Sequence, residues 1–187
     1  MSEDTSADQH PLPDHVDRIV EQWNQERPDL DVSGMQIIGR LSRLDKLISS
    51  RLDAVFAQHD LESWEFDVLA TLRRNEEPHQ LTPGQLLDSM MITSGAMTNR
   101  IDRLEQRSLV KRKKSPADGR QVLVYLTRNG KNKIDAALAD HTANELAIIE
   151  ALNDDQQEQL VDLLRTLHHT VSRSAADSGS EPGSEAD

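Results

Sequence analysis

The sequence contains no cysteine, which excludes a disulfide framework and any thiolate metal site. No run approaches the roughly 18 apolar residues that a membrane span needs. The opening stretch, MSEDTSADQHPLPDH, is polar and acidic and lacks the apolar centre of a signal peptide. These absences lead us to expect a cytoplasmic protein with no membrane partner. There is no Gly-rich phosphate loop, no nucleophile elbow and no supported pair of carboxylates for acid–base work. We therefore expect neither an enzyme nor a cofactor. His141 and Glu145 have the i,i+4 spacing of zinc ligands, but one such pair is a weak signal. His168 and His169 are adjacent, so on a helix they diverge by about 100°.

Positive charge is also scarce, with 21 Lys and Arg against 33 Asp and Glu and a formal net charge of -12 over 187 residues. That charge is not spread evenly. Between Ile92 and Lys133 there are eleven basic and three acidic side chains, a local net of +8, which leaves -20 on the rest. Such a protein does not bind polyanions over its whole surface. It can bind one through a single basic face, while the acidic remainder rejects misplaced polyanion.

The length fits one domain with accessory helices. Residues 1–13 and 174–187 are small, acidic and nearly free of large apolar groups, so disordered tails are expected. Between them the pattern is mainly helical. DHVDRIVEQWNQE (14–26) places Val16, Ile19, Val20 and Trp23 on one side. A long helix over 31–58 repeats Ile37, Leu41, Leu44, Ile48, Leu52 and Val55 by threes and fours. The next helix spans 61–74, and NEEPHQ breaks it. TPGQLLDSM then opens with Thr82 as N-cap and Pro83 at the first helical position. MMITS turns into a helix over 94–107, capped by Thr93 or Ser94. LVKRKK and RQVLVYLT read as two short strands joined by SPADG. Helices over 128–151 and 154–173 close the chain. The expected organisation is N-terminal helices at 14–60, a lobe of short helices and a hairpin at 61–127 and C-terminal helices at 128–173.

Helix, tight turn, helix and two-stranded hairpin make a winged helix-turn-helix. The fold class expected is therefore mainly α with a small β-hairpin wing. On a wheel of 94–107, Met97, Ile101 and Leu104 face the core. Gly95, Asn99, Asp102 and Arg103 fall opposite, with Thr98 beside them and Ser94 at the start. Arg pairs well with guanine and Asn with adenine. Lys113, Lys114 and Arg120 on the wing suit phosphates or a minor groove. The long helix at 31–58 and the two C-terminal helices carry apolar stripes that this small core cannot cover, so a second copy is expected. A helical interaction module that docks its wing on an acidic protein, without an operator, is the alternative.

ITSGAMTNRIDRLEQRSLVKRKKSPADGRQVLVYLT resembles the recognition helix and wing of MarR-type transcriptional regulators. Their Asp-x-Arg wing element is matched by Asp118 and Arg120, with Gly119 where the family often has a further arginine. The resemblance covers roughly residues 14–172. It implies a triangular homodimer that binds a palindromic double-stranded operator. The chain is most similar to the urate-responsive branch, of the PecS and HucR kind. That resemblance implies a small anionic ligand such as urate, held by Trp23, Asp67, Arg74 and Arg100. A tricarboxylate or phenolic acid is the alternative ligand. The residues agree. Asp67 and Arg74 are seven apart and share a helix face, and Arg100 sits on the shoulder of its helix, free to reach sideways. Arginine offers planar paired donors to a planar anion. Arg73 competes with Arg74 for that role, because helix phase decides between them.

Overall fold

The computed structural model describes residues 12–90, 94–116 and 118–178. Met91, Ile92, Thr93, Ala117 and the outermost tails lie outside these, so the expectations placed on them are not addressed. The elements run α1 (His15–Glu26), α2 (Ser33–Gln58), α3 (Ser63–Arg74), β1 (Gln80–Leu81), α4 (Pro83–Met90), α5 (Ser94–Gln106), β2 (Val110–Lys114), β3 (Val122–Leu126), α6 (Arg128–Ile149) and α7 (Asp154–Ser178).

Several boundaries follow from side chains that satisfy the free N–H groups of a helix start. Asp14 accepts from the N–H groups of Val16 (2.6 Å) and Asp17 (3.1 Å), and Asp17 accepts from Asp14 N in return. Glu62 and Glu65 form the same reciprocal box on α3. On α4, Gln85 N donates to Thr82 Oγ1 and Thr82 N to Gln85 Oε1. Thr127 caps α6 by accepting from Gly130 N at 2.9 Å.

The principal core lies where α3, α4, α5 and the sheet meet α6 and the end of α2. Val68, Leu69, Leu72, Leu86, Ile101, Leu104, Val110, Val124 and Ile134 are all fully buried there. The expected stripe of α5 is present, since Met97, Ile101 and Leu104 have at most 1% exposure. A second, small cluster of Val16, Val20 and Val32 seats α1 on α2.

Two features differ from the expectation. The sheet has three antiparallel strands in the order β1-β3-β2, because Gln80 and Leu81 pair with Tyr125 and Val124. A two-residue strand has no readable period. Helix α7 continues to Ser178, beyond the expected end at 173; Ala175 and Ala176 are good helix formers and extend it.

Much apolar surface stays uncovered. Ile37, Ile38, Leu44 and Leu47 on α2 are exposed, as are Leu146 on α6 and Leu160, Val161, Leu163, Leu164 and Val171 on α7. No described side chain of α7 is fully buried. No described helix is long and apolar enough to cross a membrane.

Candidate nucleic-acid interface and ligand cavity

The buried stripe of α5 leaves its other face to solvent. Thr98, Asn99, Asp102 and Arg103 are all exposed. Ser94 opens the helix, and its side chain lies outside the described residues. On the wing, Lys113, Lys114, Asp118 and Arg120 are exposed too. Lys113 Nζ stands 5.0 Å from the centre of the Tyr125 ring, a cation–π distance. Asp118 accepts from Arg120 N at 3.0 Å, and its own N–H donates to Ser115 Oγ. It therefore shapes the turn between the strands. Among the described residues, Lys114 and Arg120 have no ion-pair partner, so their charges are available to phosphates.

Arg103 does not simply project outward. Its Nη2 pairs with Glu62, and its guanidinium carbon lies 4.6 Å from the centre of the Trp64 ring. Asp102 is likewise engaged, since Arg112 Nη2 donates to it at 2.5 Å while Arg112 Nη1 donates to Glu105 at 2.7 Å. Arg112 N also donates to Glu105 Oε1. The wing strand is thereby tied to the recognition helix, and Arg112 is a strut rather than a free phosphate contact. The end of α5 is anchored by Arg107. It donates at 2.5 Å to Glu65, which is 1% exposed, and to the carbonyl and carboxylate of Asp60. Sequence reading passed over Glu62, Trp64, Glu65, Arg107 and Arg112. The one signal available was the Glu62-x-x-Glu65 box, which marks a helix start but not its tertiary partners.

Asp67, Arg74 and Arg100 meet. Together with Phe66, Ala70, Thr71, Ser89 and Met90 they line a cavity of about 300 Å³ between α3, α4 and α5. That is at the lower end of the ~300–1,000 Å³ typical of small-molecule sites. Of the two candidate arginines, Arg74 lines this cavity. Both border an adjoining hollow toward α6, where Arg73 donates to Asp135 at 2.6 Å. Trp23 is not brought to this cavity within one chain. Its indole is 45% exposed and borders a separate hollow with Gln22, Gln25 and Glu26. His141 and Glu145 contact each other at 3.1 Å. Among the described residues there is no group of three side chains able to hold a metal. His168 and His169 are 6.0 Å apart, edge to face.

Asp67 and Arg100 face each other across the cavity without an ion pair within 4 Å. Burial pushes the Asp67 carboxyl above its ordinary value; the charges of Arg100, His141 and Arg74 pull the other way but do not offset it. A carboxyl raised in the fold holds its proton more tightly there than in the unfolded chain. Its stabilising effect is present at low pH and is lost as pH rises through the folded value. Asp67→Asn should therefore stabilise the protein slightly at neutral pH, by less than ~1 kcal/mol because solvent screens an open site. The gain should vanish as pH falls through the carboxylate range. Melts of both proteins from acid to neutral pH check this; a gain that grows toward acid would contradict it.

A basic wing, a recognition helix with one polar face, and a helix-turn-helix packed on α3 define a winged helix DNA-binding protein. The comparisons agree. A family model described as MarR family matches residues 59–121. The HTH-type transcriptional regulator PecS of Dickeya dadantii is 41% identical over 157 residues, covering 83% of this chain and 95% of its own. A solved MarR mutant from E. coli, complexed with operator DNA, superposes with a TM-score of 0.60 at 25% identity, covering 78% of this chain and 96% of that one. Bordetella bronchiseptica BpsR, solved to explain regulation of its DNA binding by 6-hydroxynicotinic acid, shares the fold with a TM-score of 0.64 at 22% identity, covering 74% and 97%. The chain belongs to the MarR family of DNA-binding transcriptional regulators, in its PecS branch, and is not an enzyme.

Proposed function

We propose that the chain acts as a homodimeric repressor that binds a palindromic operator and is released by a small anionic ligand, urate or a related purine. The observation that carries the ligand part is the meeting of Asp67, Arg74 and Arg100 around one cavity, with one of its arginines on the recognition helix itself. A planar anion there gains paired donors from two guanidiniums. It also meets the Asp67 carboxylate, and two like charges a few ångströms apart repel. Binding therefore displaces Asp67 and draws Arg100, and with it α5, out of the register that the groove requires. The ligand shifts the equilibrium only by its preference for the released state.

The dimer part rests on the apolar stripes left open on α2, α6 and α7. Two recognition helices then read two half-sites. Trp23 stands outside the three cavity residues, and this reading gives it a role only once a second copy completes the surface around α1. Trp23→Ala tests that role through ligand affinity.

DNA recognition is tested on an operator duplex selected from a random library by the parent protein. Arg103→Ala should weaken binding to it by ~1–3 kcal/mol per subunit and relax sequence preference. Arg120→Ala should weaken operator and random DNA alike and lower the salt slope by ~1. Operator selectivity left intact by Arg103→Ala would show that this arginine does not read bases.

A further inference from the structure

Trp64 lies between the two halves of the molecule's task. Two arginines of the recognition helix, three residues apart, lie against the same indole. Arg100 is 5.6 Å from its ring centre and Arg103 4.6 Å. Arg100 is the helix's contribution to the ligand cavity. Arg103 is its exposed arginine on the DNA side. The indole N–H in turn donates to Glu62 Oε2 at 2.7 Å, while the other oxygen of Glu62 takes Arg103. The Trp64 N–H, and then the Arg103 guanidinium, hold the Glu62 carboxyl below its ordinary value. Ring, carboxylate and guanidinium thus form one closed set.

We propose that Trp64 is the positioning residue that couples the ligand cavity to DNA reading, because Arg100 and Arg103 share its ring and Glu62, fixed by its N–H, sets the plane of Arg103. This rests on the cavity reading given above. A cation over an indole face is held by the ring quadrupole and gains most where water is partly excluded. Trp64 is half-buried and packs against the core, so its ring is fixed, while the two guanidiniums end long side chains with several rotatable bonds. An anion that draws Arg100 toward Arg74 changes what the indole offers to Arg103. Arg103 uses one N–H group on Glu62 and keeps its others for a base edge. Its orientation, rather than its charge, is what the platform supplies. Coupling of this kind needs no movement of α3. It requires only that two side chains compete for one partner.

The test is a double-mutant cycle on operator affinity. Arg100→Gln and Arg103→Gln are made singly and together, once with Trp64 present and once with Trp64→Leu. Residues that share a partner couple measurably. With Trp64 present, the pair should depart from additivity by about three- to tenfold in Kd, within the range found for neighbours in contact. With Trp64→Leu, only direct repulsion between the two arginines remains, and the departure should shrink to less than about twofold. Trp64→Phe keeps a ring but loses the N–H that holds Glu62, so it should restore only the part of the coupling carried by the shared ring, which separates a positioning role from a merely structural one.

A second readout uses the intact fold. Trp64 and Trp23 are the two tryptophans of the chain, so Trp23→Phe leaves Trp64 as the sole indole. Its emission should change when operator is added, and Arg103→Gln should abolish that change. Equal coupling with and without Trp64, or an emission that ignores the operator, would overturn the proposal. Urate is then titrated on operator complexes of the parent and of Trp64→Leu. Release of the parent alone supports the relay, and equal release of both overturns it. Failure of urate to release even the parent would count against the ligand reading, while the cycle, which uses no ligand, still decides the role of Trp64.

Discussion

Arg107→Ala is expected to destabilise the protein by about 3 kcal/mol, the lower end of what removing one partner of a buried ion pair costs. The lower end applies because Arg107 is partly open, with 31% side-chain exposure, whereas its partner Glu65 has 1%. The damage comes from Glu65. Its Oε2 is held by Arg107, and its Oε1 is already buried without a hydrogen-bond partner. Without the guanidinium, a carboxylate is left in the core facing only one backbone N–H, that of Glu62 at 3.0 Å. The functional consequence follows from position. Arg107 bolts the end of the recognition helix to the start of α3 and to the turn at Asp60. Its loss should therefore lower operator affinity more than affinity for random DNA, which depends on charge and not on register. Thermal melts and binding to both duplexes check this. Glu65→Gln added to Arg107→Ala should recover part of the stability by removing the stranded charge; no recovery would show that the loss arises elsewhere.

Gly130→Ala is expected to have an effect as large, for a steric reason. A Cβ at Gly130 would lie 2.0 Å from the Leu109 carbonyl oxygen and 2.9 Å from its carbon. Backbone cannot step aside as a flexible side chain can. The same carbonyl accepts from Thr127 N at 3.1 Å and from Thr127 Oγ1 at 3.2 Å, and Thr127 caps α6. The first turn of α6 thus lies directly on the start of the wing. Forcing them apart should cost at least ~3 kcal/mol, at or beyond the upper range for overpacked sites. Gly95→Ala and Gly119→Ala are the controls, since nothing lies within 4 Å of either added Cβ. A melt of Gly130→Ala matching those controls would contradict this account of the junction.

The sequence shows some of this and hides the rest, for physical reasons. The α5 stripe of Met97, Ile101 and Leu104 was legible because burial on one helix face imposes a period of 3.6. Thr82 was legible because a capping box is local chemistry, written within four residues. The wing strands showed as β-prone runs bounded by turn residues. The contacts of Arg103, Arg107 and Arg112 were not legible. Glu62 is 41 residues from Arg103, and no periodicity announces a pairing across such a distance. The wheel correctly set Arg103 away from the core, but it could not show that α3 begins beside it. Gly130 gave no signal either, because close approach of another backbone is a tertiary fact. For the cavity, spacing put Asp67 and Arg74 on one face, while the side of α3 that Arg73 and Arg74 each take is set by the helix phase that packing fixes. Arg100 joined them through family resemblance and a shoulder position. Trp23, placed with them by the same resemblance, stands apart in the single chain.

Under the function proposed, the cavity between α3 and the recognition helix controls whether DNA is held. This is tested most directly by following a fluorescently labelled operator by anisotropy while urate is added to the parent protein and to Arg74→Ala. Losing hydrogen bonds from a charged donor to a bound anion costs ~1.5–3 kcal/mol, equivalent to ten- to hundredfold in affinity. Both proteins should bind the operator comparably, and urate should release the parent. Arg74→Ala should require at least about tenfold more urate for the same release. Release of Arg74→Ala at the same urate concentration as the parent would contradict it.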